Sequence, residues 1–121
     1  MSAIIVVTSV GGEEQGNEIA RELVARRHAA CVNMLPVIKS FYRWQGKICR
    51  DSEYLLIIKT MQAEYDAVAD TIRELHSYDL PEILSFDVAK GDPRFLEWIA
   101  NGLDKEADFE DDVDQPDADE L

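Results

Sequence analysis

Two histidines and two cysteines make up the strong transition-metal ligands of this 121-residue chain, and their spacing limits the metal chemistry open to it. Cys31 follows His28 by three residues. A thiolate beside an imidazole suits a soft or borderline ion such as Cu(I) or Zn(II), but two ligands fall short of the four that close a structural zinc site. Cys31 also follows Ala29-Ala30, and a free thiol after small residues fills a core equally well. Both readings stand. His76 falls at the expected C-terminal end of a helix, where an imidazole either binds metal or donates to the last free carbonyls and complements the helix dipole. Glu82 follows closely and offers an oxygen donor. The candidate metal ligands are therefore His76, Cys31 and Glu82, for copper or another divalent ion held weakly. Lys59 ends an apolar run; its ammonium either reaches out to water or joins Tyr78 and Glu82 in a cleft between subunits that takes a small anion.

Other motifs are excluded by their neighbours. Gly11-Gly12 stands between a strand pattern and a helix pattern, yet Glu13-Glu14 puts negative charge where a phosphate would sit and no lysine follows. Asp112-x-Asp114 lacks the glycine and distal glutamate of a calcium loop. No Ser–His–acid set is present, so nothing argues for catalysis. Net charge is −13, and residues 104–121 hold ten acids against Lys105 alone. That stretch reads as a disordered, solvated tail after a folded domain over residues 1–103. An acidic balance without a basic stripe argues against nucleic acid and against anionic membrane. No segment is apolar for long enough to span a bilayer, no N-terminal stretch has signal-peptide order, and no Cys-x-x-Cys occurs. A cytoplasmic protein with free thiols is the expectation.

Positioning these groups takes alternating strands and helices. Ile4-Ile5-Val6-Val7-Thr8 has the β-branched run of a strand buried on both faces. A helix follows from Glu13-Glu14, with Ile19, Ala20, Leu23 and Val24 to one side. Cys31 to Thr60 then reads as one long hairpin, turning at Gln45-Gly46 and bent at Pro36, which removes a ladder donor. A second helix spans about Ala63 to Leu75, a last strand runs over Ile83–Val88, and Asp92-Pro93 caps a final helix that stops near Gly102. This order gives an α+β, ferredoxin-like split β-α-β sandwich with a protruding hairpin and an extra C-terminal helix. Hairpin arms of about 14 residues span roughly 45 Å, whereas helices of about 15 residues span roughly 22 Å. The surplus apolar surface needs another chain, and Tyr42 and Trp44, which share one hairpin face, are the expected seam.

Ala29-Ala30-Cys31-Val32-Asn33, Pro36, Ser40, Tyr42, Trp44, Gly46-Lys47, Lys59-Thr60, His76-x-Tyr78-x-x-Pro81-Glu82-Ile83 and Trp98 closely resemble the CutA divalent-cation tolerance proteins, over about residues 3–103. The resemblance implies a tight homotrimer braced by its hairpins, an architecture similar to the trimeric PII signalling proteins, and a role in tolerance of copper and other divalent metals with copper binding. It also places the His76 loop near a subunit boundary, where chains can pool ligands. The chain departs from the family at Thr8, where some members carry a cysteine proposed as a copper ligand. It departs again at Leu75, where these can have a second histidine, and at Ser77, usually proline. Of that proposed copper set only His76 is present. The expected function is a non-enzymatic homotrimer responding to divalent metal; the alternatives are a PII-like sensor of a small anion at Lys59 and a purely structural trimer.

Overall fold

The computed structural model describes residues 2–106, and most of the acidic stretch for which disorder is expected lies outside them. β1 (Ala3–Val10) is the middle of the fold, flanked by β3 (Lys47–Met61) and β4 (Leu84–Asp87), with β2 (Cys31–Trp44) beyond β3. The strand order is β2-β3-β1-β4 and every pairing is antiparallel. Helix α1 (Glu13–Ala25) links β1 to β2, α2 (Tyr65–Leu75) links β3 to β4 after a 3-10 turn at Gln62–Glu64, and α3 (Pro93–Gly102) ends the domain. Both linking helices bridge strands separated by one neighbour and pack on each other and on one side of the sheet.

The core follows from periodicity. Ile4, Val6, Thr8 and Val10 are one alternate set along β1, and all are buried; Leu56 and Ile58 stand opposite Thr8 and Val6 on β3. Ile19 and Leu23 of α1 and Val68 and Ile72 of α2 lie four residues apart on their helices and close the core from above. Each such aliphatic side chain contributes about 1.5–3 kcal/mol by leaving water. Val24, expected on the packed side of α1, is 43% exposed instead. At the N-terminus of α1 Gly12 supplies no capping side chain, and Glu13 and Glu14 complement the helix dipole. α3 starts as its sequence indicates: the Asp92 carboxylate accepts from the N–H groups of Arg94 and Phe95, with Pro93 at the first helical position.

The hairpin has arms of 14 and 15 residues, against 13, 11 and 10 for the three helices. Gln45 and Gly46 both have positive φ, 50° and 77°, the two-residue turn whose twist matches the strands. Leu35 pairs with Leu55 and Ile38 with Glu53, so β2 spends one residue more than β3 at Pro36-Val37. This is the bulge that Pro36 indicates. It also keeps side-chain parity: residues 38, 40, 42 and 44 continue the sheet side opposite the helices. That side has an apolar surface that the described residues do not cover. Leu84 and Phe86 of β4 and Leu35 of β2 are 53%, 54% and 41% exposed, and Ile5, Val7, Leu55 and Ile57 are half-buried between them.

Candidate metal and ligand site

His76 is the first residue beyond α2 and its backbone is already extended. Its side chain folds back over the sheet and is buried. Tyr78 N–H donates to Nδ1 at 3.0 Å, and Nε2 lies 2.8 Å from the Ser9 carbonyl. A carbonyl can only accept, so Nε2 carries the proton and the imidazole is the neutral Nε2–H tautomer. The carbonyl contact is the orientation a metal-binding imidazole commonly has. The other nitrogen, however, spends its lone pair on Tyr78, so an ion reaches it only by displacing that N–H. The helix-end carbonyl that His76 was expected to serve is met by another residue: Gln15 Nε2 donates to Leu75 O at 3.3 Å while its Oε1 accepts from Ser77.

Tyr78 continues the clasp. Its ring lies against that of His76, centroids 4.6 Å apart, and its hydroxyl donates to Glu53 Oε2 at 2.8 Å. The hydroxyl sits where a Cβ on Gly11 would come within 3.1 Å of it, so glycine at that position lets the ring pack down. Burial, then the Glu53 carboxylate, push the Tyr78 phenol up to about 12. Glu53, only 7% exposed, is the acid that motif reading missed. Its signal is strand alternation: Cys49, Asp51 and Glu53 share the face of Tyr42, and Tyr42 donates a very short hydrogen bond to Asp51. That bond first, and burial second, push the Tyr42 phenol up to about 12.

The remaining expected ligands lie elsewhere. Cys31 starts β2 half-buried and directly opposite Lys59. His28, which was to share an ion with it, turns to Glu64 instead, Nδ1 to Oε1 at 3.0 Å; Lys105 also donates to Glu64 and to the Arg27 carbonyl. Glu82 is exposed. Lys59 makes no ion pair with Glu82 among the described residues; its ammonium stands 5.7 Å from the centre of the Phe95 ring, which stacks on Trp98. Among the described residues no group of three or more His, Cys, Asp or Glu is placed to hold a metal. Within one chain, therefore, His76, Cys31 and Glu82 form no metal-holding group, and among the described residues no hydrogen bond or ion pair joins Lys59, Tyr78 and Glu82 to one another. Tyr42 and Trp44 are 43% and 57% exposed on the hairpin.

Compared with known proteins, residues 4–102 match the model of the CutA1 divalent ion tolerance protein family. The chain belongs to that family. The crystal structure of CutA1 from Oryza sativa superposes with a TM-score of 0.84 at 36% identity, covering 87% of this chain and 96% of that one. CutA from Archaeoglobus fulgidus, described as a periplasmic divalent cation tolerance protein, gives 0.82 at 32% identity over 84% and 99%. The chloroplastic Protein CutA of Arabidopsis thaliana is 39% identical over 99 residues, 82% of this chain and 54% of that protein; the chain thus spans about half the length of the plant relatives it matches. These similarities correct one expectation. CutA proteins carry chloroplastic and periplasmic descriptions, so the strictly cytoplasmic assignment does not stand. It rested on the absence of a signal-peptide pattern and of a spanning segment, and such absences do not fix a compartment. The family is one of cation tolerance rather than a known enzyme family.

Proposed function

We propose that this CutA chain is a non-enzymatic homotrimer that takes part in the response to divalent metal and binds copper or a similar ion weakly at subunit boundaries. The observation that carries the reading is the uncovered side of the sheet. Leu35, Leu84 and Phe86, with the half-buried aliphatics between them, form an apolar surface continuous with the Tyr42 and Trp44 side of the hairpin. A surface of that kind favours association with copies of itself. The β2-β3-β1-β4 order with α1 and α2 on one side supports a ferredoxin-like subunit, and the family resemblance supplies the three-fold, PII-like arrangement. Separation of His76, Cys31 and Glu82 within one chain fits a site pooled between chains, in which Cys31 and Glu82 are accessible and His76 joins only when Tyr78 N–H leaves its Nδ1.

Native mass spectrometry at low micromolar concentration tests the assembly, with a three-chain mass expected; a persistent single-chain species would sink it. Calorimetric titration with Cu(II), Cu(I) and Zn(II) tests the ligands. Weak uptake should be reduced by Cys31→Ala, Glu82→Ala and His76→Ala, and uptake unchanged in all three variants overturns the ligand assignment.

A further inference from the structure

The far end of the β2–β3 hairpin has two unlike sides. Residues 39–50 contain Lys39, Arg43, Lys47 and Arg50 and no carboxylate, in a chain of net charge −13. Lys39 stands opposite Ser52, Phe41 opposite Arg50, and Arg43 opposite Ile48, and directly opposed residues share a face. One side therefore gathers Lys39, Arg43 and Arg50 around Phe41 and Ile48, which are 68% and 73% exposed. Tyr42, Trp44, Lys47, Cys49 and Asp51 occupy the other. Among the described residues Lys39 and Arg50 form no ion pair, and Arg43 reaches only the turn carbonyl of Gly46. This is a basic stripe that the linear sequence hides, because pairing of two strands assembles it.

We propose that the Lys39–Arg43–Arg50 side is the docking surface for the acidic C-terminal segment of the same chain, residues 107–121. Charge complementarity is the first reason. That segment holds eight acids and no base, with Phe109, Val113 and Leu121 as apolar residues, and the stripe offers three cations around two exposed apolar side chains. Arg26 is not open in the same way, since it pairs with Glu22 and Glu74. Reach is the second reason. Lys105 is fastened to Glu64 and the Arg27 carbonyl at the foot of the hairpin. From Cys31 to the Lys39 and Phe41 rungs, eight to ten strand residues cover roughly 27–34 Å at 3.4 Å each. Fifteen extended residues reach at most about 50 Å. The first ten or so residues are spent on the way, so the acids that arrive are Asp117, Asp119 and Glu120, three against three. Docked there, the segment masks the stripe from other polyanions while leaving the Tyr42 and Trp44 side open.

Zero-length carbodiimide cross-linking of the full-length protein tests this, read by peptide mass spectrometry on a mixture of unlabelled and 15N-labelled copies. Lys39 should link to Asp117, Asp119 or Glu120 within one molecule at least five-fold more often than position 40 does in S40K, position 40 being one rung away on the other side. The links should fade in 0.5 M NaCl, where the screening length is about 4 Å, and fall several-fold in R43Q/R50Q. Equal linking of Lys39 and of position 40 in S40K, or indifference to R43Q/R50Q, overturns the proposal. Lys39 links that join only labelled to unlabelled molecules assign the surface to a neighbouring copy and overturn the same-chain reading. Saturable binding of single-stranded DNA by the full-length protein, lost in R43Q/R50Q, would make the stripe a nucleic-acid surface instead. None of these outcomes depends on metal uptake or on the number of chains.

Discussion

Thr8→Val should make the protein more stable. The Thr8 side chain is fully buried on β1 opposite Leu56, and its hydroxyl is the one buried side-chain polar atom among the described residues with no hydrogen-bond partner. Leaving a buried hydroxyl unpaired costs about 1–3 kcal/mol. Valine has the same branched shape and equal comfort in a strand, and the methyl that replaces the oxygen gains close to the ~0.8 kcal/mol of a buried CH₂. Some of the cost is recovered in threonine by adjustment of its neighbours, so the net expectation is about 1–2 kcal/mol. For a domain of this size each kcal/mol moves Tm by about 4–8 °C. The assay is thermal and guanidinium unfolding at one fixed protein concentration, because any assembly makes Tm concentration-dependent. Ser9, whose carbonyl holds His76, is the next residue; the His76 ring resonances should not move. A Thr8→Val protein no more stable than the parent would refute the reasoning, since the hydroxyl must then have a partner, such as a buried water.

Tyr78→Phe should cost about 1–3 kcal/mol, because it strands the buried Glu53 carboxylate; equal unfolding midpoints would show Glu53 satisfied elsewhere. The same bond gives a pH dependence. The folded-state phenol is raised to about 12 from an ordinary 10.0, so the stability it contributes is complete below pH 10 and disappears as pH rises through 12; Tyr78→Phe should flatten that alkaline limb in unfolding midpoints measured from pH 9 to 12.5. Asp92→Ala removes the acceptor for two α3 N–H groups and should cost about 1 kcal/mol, with hydrogen exchange quickened at Arg94 and Phe95 only. Gln45→Asn places a residue tolerant of positive φ at a turn position with φ of 50° and should stabilise the hairpin by a few tenths of a kcal/mol, seen as slower amide exchange around Trp44 and Lys47.

What the sequence makes legible is what local chemistry decides. β-branched runs, the Asp92-Pro93 cap, the glycine turn at Gly46 and the Pro36 interruption each act over a few residues, and all appear where their patterns place them. The candidate site was legible only in part, because its contacts are made across the chain. His76 meets Ser9, Tyr78 meets Glu53, and Gln15 meets Leu75 and Ser77 at separations of 25 to 67 residues. No periodicity encodes those pairings. His28 was paired with the cysteine three residues along, but it faces Glu64, since the register aims Cys31 across the sheet at Lys59. Lys59 was matched to Glu82 by charge; the structure gives it an aromatic neighbour on α3, and sequence reading has no term for where a terminal helix returns. The basic stripe was missed for the same reason: Lys39 and Arg50 are eleven residues apart and side by side.

The extra residue at Pro36-Val37 is absorbed by the bulge, so the side of the hairpin that carries the aromatics does not depend on it. β2 advances three positions from Leu35 to Ile38 while β3 advances two, from Leu55 to Glu53. Deleting Val37 removes the extra residue and leaves Ile38 two positions from Leu35 and still opposite Glu53, so with strand period 2 every side chain from Ile38 to Trp44 keeps its face. Tyr42 and Trp44 would stay on the side of Asp51, and Lys39, Phe41 and Arg43 on the side of Arg50. The Tyr42–Asp51 hydrogen bond, the largest cause raising that phenol to about 12, would be kept. In the deletion variant, absorbance titration at 295 nm should therefore find Tyr42 ionising at about 12, as in the parent, with Tyr42→Phe in each background isolating its signal. The apolar side would stay free of Lys39 and Arg43, so any association at low micromolar concentration should be unchanged. Tyr42 ionising near the ordinary value of 10.0 in the deletion variant would mean that the ladder had slipped by one residue, and the bulge would be the device that orients the hairpin rather than a consequence of Pro36.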